Sequence, residues 1–201
     1  MSNIKINHLF FKYSAAWLIK DFSLEIGSGK WVGLVGPNGS GKTSLLKIMA
    51  GILKPQKGQV LINGINLHGL WSFLIRKKIG IANQIFSIPP ADKMEIILNL
   101  NRSNRQKAEE LIKLFKLGHL KRRKAGKMSG RELQKLMIIK ALLKNPDILL
   151  MDEPVNHLDI HQQKMVLDIL KKKYCTNMAV VVVFHNEQQA RKYCEKVVVL
   201  E

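Results

Sequence analysis

A chain of 201 residues and 22.9 kDa has room for one domain with a full core. Its 46% hydrophobic and 24% charged residues are the mixture of a folded globular protein. The longest apolar run, Met178 to Phe184, is strand length, far short of the ~18 residues that cross a bilayer. The N-terminus has no basic stretch followed by an apolar one, so no signal peptide is expected. Two cysteines, Cys175 and Cys194, cannot build a disulfide framework. An integral membrane protein, a disulfide miniprotein, a collagen and an ordinary secreted enzyme are thereby excluded, and a soluble intracellular protein is expected. Lys and Arg outnumber Asp and Glu 33 to 15, for a formal net charge of +18. The excess is uneven: Arg102 to Lys144 holds 14 Lys and Arg against Glu109, Glu110 and Glu132. Such a surface suits an anionic partner, or is simply a solubilising face.

In chain order, Ile4–Tyr13 and Leu18–Ile26 read as an antiparallel strand pair around the turn Ser14-Ala15-Ala16. Lys30–Gly36 is a strand entering a glycine-rich loop, and Lys42–Ala50 a helix closed by Gly51. Gln59–Asn63 and Ile79–Asn83 are short strands, and Pro89-Pro90 breaks the chain. Asp92 to about Lys144 has apolar residues at helical spacing. Strands Ile148–Asp152, Ala179–His185 and Val197–Leu200 then alternate with helices Ile160–Lys172 and Glu187–Glu195. Near-continuous apolar strands separated by helices predict an α/β fold with a mostly parallel sheet covered on both faces. One domain spans residues 1–201. About 1–30 and 58–70 form a small antiparallel part, about 90–145 a helical subdomain, and the remainder the core.

Four motifs carry chemistry. Gly36-Pro37-Asn38-Gly39-Ser40-Gly41-Lys42-Thr43 fits G-x-x-x-x-G-K-[ST] between an apolar strand and a helix. There backbone N–H groups cradle phosphate, the lysine reaches the β- and γ-phosphates, and the Thr43 hydroxyl ligates Mg²⁺. Ile148-Leu149-Leu150-Met151-Asp152-Glu153 is an apolar strand ending in two carboxylates. Asp152 suits the Mg²⁺ shell, and Glu153 suits polarising the water that attacks the γ-phosphate. Ser129-Gly130-Arg131-Glu132 opens a helix, either as a plain capping box or as a second anion site. His185 ends a strand, where it fits a surface histidine or a γ-phosphate contact.

Taken together these residues resemble the ATP-binding cassette family, the nucleotide-binding subunits of ABC transporters, over nearly the whole chain. Residues 36–43, with Ser44 beyond, look like Walker A, and residues 148–153 like Walker B with its glutamate. Met128-Ser129-Gly130-Arg131-Glu132 looks like the signature, and Asn156-His157-Leu158-Asp159 like the D-loop. Tyr13 matches the aromatic that stacks on adenine, Gln84 the glutamine that reaches Mg²⁺ and signals to the membrane domain, and His185 the switch histidine. The resemblance implies a P-loop NTPase fold of ABC type, with ATP and Mg²⁺ as cofactors and Mg²⁺-dependent ATP hydrolysis. Two cassettes, expected to be identical, pair head to tail around two ATP. Ser129, Gly130 and the signature helix of one face the phosphate loop of the other. Glu153 acts as base and His185 steadies the transition state. A separate integral membrane permease is then the partner, and the cytoplasmic face of a membrane the location.

Leu158-Asp159-Ile160-His161-Gln162 resembles stretches of importers of iron chelates, haem or cobalamin. The chain departs from the family pattern at Arg131 (for Gly), Asn186 (for Asp) and Val155 (for Thr). Two other readings stand beside the transporter. A cassette acting on the ribosome or other nucleic acid would use the +18 charge, but such proteins carry two cassettes per chain. A regulator that binds ATP and barely hydrolyses it has Arg131 as its only motive.

Overall fold

The computed structural model describes residues 4–70, 72–82, 88–174 and 177–201, with residue 174 described by its backbone alone. Gln84 and Cys175 lie outside the described residues.

Strands β1 (Ile4–Phe11), β2 (Ile19–Ile26) and β3 (Trp31–Val35) lead into helix α1 (Lys42–Met49). Then come β4 (Lys57–Ile62), β5 (Ile65–Asn66), α2 (Ser72–Arg76) and β6 (Ile79–Ala82). Helices α3 (Met94–Ile97), α4 (Arg105–Leu114) and α5 (Gly130–Leu143) follow, with 3-10 turns at Gly118–Leu120 and Ala125–Lys127. The chain closes with β7 (Ile148–Asp152), α6 (Ile160–Tyr174), β8 (Ala179–Val183), α7 (Glu187–Tyr193) and β9 (Lys196–Val199).

The strands form two sheets. One is antiparallel, in the order β2-β1-β4-β5; the other is parallel, in the order β6-β7-β8-β3-β9. Every residue of β3, β7 and β8 is buried, because helices and the second sheet cover both faces. The alternation of side chains divides these strands between two cores. Trp31, Leu149, Met151, Val180 and Val182 pack with the residues of α4, α5 and α6. Val32, Leu34, Ile148, Leu150, Val181 and Val183 pack with α1 and the antiparallel sheet. The α/β expectation and the antiparallel opening pair are met.

Several boundaries differ from the sequence reading. The first strand stops at Phe11 rather than Tyr13, and the segment from Asp92 to Lys144 is not continuously helical. Asn99 (φ 50°) and Lys116 (φ 58°) turn left-handed and stop α3 and α4. Between them Asn101 Oδ1 accepts from the N–H groups of Ser103 and Asn104, a side-chain turn that competes with helix. Strand β5 and helix α2 went unpredicted. Yet β4 and β5 are joined by Asn63-Gly64, both at positive φ (52° and 79°), the preferred pair for a two-residue hairpin loop.

Candidate functional site

Strands β7, β8 and β3 are neighbours, so their carboxyl ends lie side by side. Glycine-rich residues 36–41 leave the end of β3, Asp152 and Glu153 end β7, and His185 follows β8. This is the edge at which open parallel sheets bind ligands.

The loop after β3 requires its glycines. Gly36 has φ 146°, and a Cβ there would lie 2.2 Å from the Leu200 carbonyl oxygen. Gly41 sits left-handed (φ 93°) at the N-cap of α1, and no side chain caps that helix. The first N–H groups of α1 therefore stay available to an anion, which the helix dipole also favours. Lys42 is buried, and its Nζ donates to the carbonyls of Gly36 (2.7 Å) and Pro37 (2.6 Å). An ammonium that meets two carbonyl oxygens among the described residues retains one donor for phosphate. Ser40 is buried too, and its Oγ has no partner among the described residues.

A cavity of about 380 Å³ opens over this loop, lined by Tyr13, Asn38, Gly39, Gly41, Lys42, Thr43, Ser44 and Glu153 among others. Tyr13 stands at its mouth, 66% exposed, with its hydroxyl 3.1 Å from Ser44 Oγ and its ring edge-on to Phe11. Ser129, Gly130 and Glu132 are not among the lining residues. The structure therefore gathers the residues of the phosphate loop with Glu153 and leaves the signature residues elsewhere.

Thr43 Oγ1 donates to Asp152 Oδ2 across 2.9 Å. Asp152 Oδ1 is buried with no partner among the described residues. Burial pushes the Asp152 carboxyl above the usual range, and the neighbouring Glu153 adds to this. The Thr43 hydrogen bond and the charges of Lys47 and Lys42 oppose it without cancelling it. A hydroxyl and a carboxylate with an unused buried oxygen form a hard oxygen donor set that fits Mg²⁺.

Glu153 occupies left-handed backbone, φ 51°, which costs a non-glycine residue about 1–3 kcal/mol. Among its contacts, the Asn156 N–H donates to its carbonyl oxygen at 3.3 Å. Gln134 Nε2 donates to its carbonyl oxygen (2.6 Å) and Asn156 Nδ2 to its Oε2 (2.7 Å), while His185 Nε2 lies 2.8 Å from its Oε1. In the sequence Gln134-Lys135 stands after the signature where the family usually has Gln-Arg, with no role given to Gln134. Its signal is a glutamine within the apolar run Leu133 to Ile139, buried at 7% exposure.

Ser129 is the N-cap of α5 in a complete capping box. Its N–H and hydroxyl donate to Glu132 Oε2 (2.7 and 2.9 Å), and its hydroxyl accepts from the Glu132 N–H (3.3 Å). His119 Nε2 lies 3.1 Å from the other Glu132 oxygen. Both Glu132 oxygens are thus engaged within the chain. Arg131 reaches Asp159, with Nη1 3.4 Å from Oδ2. The other departures have local explanations. Val155 is buried in the core with α5 and α6, where an apolar side chain is favoured. Asn186 is the N-cap of α7, accepting from the Gln189 N–H at 3.1 Å. Among the described residues no helix is long and apolar enough to cross a membrane.

The ABC_tran family, described as ABC transporter, matches residues 19–156. The chain is 31% identical to the high-affinity zinc uptake system ATP-binding protein ZnuC of Bacillus subtilis, over all of this chain and 92% of that one. It is 32% identical to the ergothioneine transport ATP-binding protein EgtV of Helicobacter pylori, over 96% of this chain and 94% of that one. Among solved structures, the ATP-binding cassette MJ0796 superposes with a TM-score of 0.86 at 27% identity, covering 98% of this chain and 94% of that chain. That structure is a dimer in a post-hydrolysis state, bound to ADP and Pi. The chain belongs to the ABC transporter family and is one of its ATP-binding, ATP-hydrolysing cassettes.

Proposed function

We propose that the chain is the motor subunit of a membrane transporter, pairing head to tail with a second copy around two ATP and driving a separate permease from the cytoplasmic face. The observation that carries this reading is the meeting of the phosphate loop, the Thr43–Asp152 pair and the Glu153–His185 pair at three adjacent strand ends. The zinc and ergothioneine relatives are both named as transport proteins, which favours this reading over action on nucleic acid.

ATP lies with its phosphates on residues 36–44 and its adenine against Tyr13. Lys42 gives its remaining donor to the β- and γ-phosphate oxygens. Thr43 and Asp152 would hold Mg²⁺, with Gln84, outside the described residues, expected as a further ligand; the ion, when bound, would offset charge on those oxygens. Glu153 removes a proton from water. The water oxygen bonds to the γ-phosphorus as the bond from that phosphorus to the β,γ-bridging oxygen breaks, giving ADP and inorganic phosphate. Asn156 fixes one Glu153 oxygen and His185 orients the other. Ser129 and the N–H groups of Gly130 and Arg131 lie outside this chain's own cavity, so they serve the γ-phosphate bound by the partner. Glu132 contributes by holding Ser129.

For cargo, the stretch Leu158 to Gln162 that suggests iron chelates, haem or cobalamin has a local account. Asp159 Oδ1 accepts from the Gln162 N–H (2.9 Å) at the start of α6. Cargo is therefore assigned to the permease rather than to this stretch.

Size-exclusion chromatography of Glu153→Gln tests the assembly. Twice the mass with ATP and Mg²⁺, and 22.9 kDa without them, is expected. A monomer under both conditions would overturn the paired-cassette reading.

A further inference from the structure

Helix α5 carries two separate features. Its N-terminus presents Ser129 and Gly130, which in the head-to-tail pair serve the partner's ATP. One turn further, Gln134 donates from Nε2 to the Glu153 carbonyl at 2.6 Å. Glu153 serves the ATP on its own chain. We infer that Gln134 is a positioning residue linking the two ATP sites within each protomer, by holding Glu153 in register with α5. The inference rests on the paired-cassette reading above.

Three observations carry it. Glu153 occupies a left-handed backbone that its own residue type disfavours, and of the two donors to its carbonyl Gln134 Nε2 (2.6 Å) is closer than the local Asn156 N–H (3.3 Å). Gln134 is 7% exposed, and its Oε1 is buried with no partner among the described residues. An apolar side chain of that length would fill the same space without leaving an acceptor unsatisfied, so packing alone does not account for a glutamine here. Finally, α5 is joined a second time to the segment after β7, through Arg131 and Asp159 (3.4 Å). That pair is exposed and screened by salt, which leaves the buried Gln134 contact as the stiffer tie. A small shift of α5, when phosphate seats on Ser129, moves the Glu153 carbonyl and re-aims its carboxylate. The positions of catalytic groups matter at this scale: a misplacement of about 1 Å can cost about a hundredfold in rate. Occupancy of one site thereby sets the readiness of the other, which is a coupling free energy between sites.

Gln134→Met tests this, since it keeps length and volume and removes only the donor. Wild type and variant are compared for turnover against ATP concentration, for affinity toward a fluorescent ATP analogue, and for melting temperature. The expected result is a fall in kcat of about tenfold or more. The Hill coefficient should drop from above one to one, with analogue affinity and folding retained. Gln134→His, which restores a donor, should recover part of both. Unchanged kcat and Hill coefficient in Gln134→Met would overturn the inference. So would a loss confined to melting temperature or analogue affinity, because that marks a packing role. Wild type showing neither turnover nor an ATP-dependent dimer would overturn the paired-cassette reading itself, a failure distinct from the variant's.

Discussion

Thr43 Oγ1 and Asp152 Oδ2 stand 2.9 Å apart, joining the start of α1 to the end of β7 across 109 positions of sequence. The hydrogen bond uses one Asp152 oxygen and leaves the other buried without a partner among the described residues. Burial raises the Asp152 pKa, so folding favours its neutral form. Its stabilising contribution is then complete below the ordinary Asp range and lost as pH rises through the raised value. At pH 7, above the ordinary Asp range, keeping this carboxyl in its buried site without metal weakens the fold. Asp152→Asn should melt higher in metal-free buffer at pH 7, by the order of 1 kcal/mol, or about 2–4 °C. The gain should narrow in acid, and turnover should fall at least about a hundredfold. A lower melting point at pH 7 would contradict this account of the site.

Lys42 is held by two loop carbonyls, so removing its charge should weaken nucleotide binding without unfolding the loop. Lys42→Met is expected to raise the Kd for a fluorescent ATP analogue about ten- to a hundredfold, the range for a hydrogen bond to a charged group. Equilibrium titration measures it, and an unchanged Kd would contradict the assignment.

Burial pushes the Glu132 carboxyl upward. Hydrogen bonds from the Ser129 N–H, the His119 ring and the Ser129 hydroxyl outweigh it, holding the pKa below the usual range. A folded pKa below the unfolded one means stability present above about 4.3, the ordinary Glu value, and lost as pH falls through the folded value. Glu132→Gln keeps the shape of the capping box and loses the charge. It should cost about 1 kcal/mol at pH 7, and the gap from wild type should close as pH falls through the folded value. Thermal melts across an acid pH series check this.

Arg131, the departure that motivated the regulator reading, points toward Asp159. The pair is exposed, and such pairs contribute about 0–1 kcal/mol. Arg131→Gly should therefore leave turnover within about threefold of wild type, in contrast to Gln134→Met. Steady-state kinetics on the two variants separates the buried tie from the exposed one.

How far the sequence reveals this arrangement depends on how local each signal is. Strand β7 is legible from end to end, because Ile148 to Asp152 is an apolar run stopped by two acids. The loop after β3 is legible because glycine spacing encodes backbone shape directly. Asn63-Gly64 also carries a hairpin signal, but β5 is only two residues long and offers no alternation to support it. The breaks within residues 94–143 are hidden because the apolar positions keep helical spacing across the turns at Asn99 and Lys116. Least legible are the contacts that shape the site. The Gln134–Glu153 and Arg131–Asp159 contacts join residues 19 and 28 positions apart. The left-handed Glu153 is a tertiary outcome, fixed by neighbours on α5 and after β8.

In the proposed mechanism Glu153 is the base that hydrolyses an ATP whose phosphates rest on residues 36–44. Its most direct test is Mg²⁺-dependent phosphate release by the purified chain beside Glu153→Gln. Turnover by wild type is expected to fall about a hundredfold or more in the variant, with affinity for the ATP analogue retained. Equal turnover in the two proteins would contradict it.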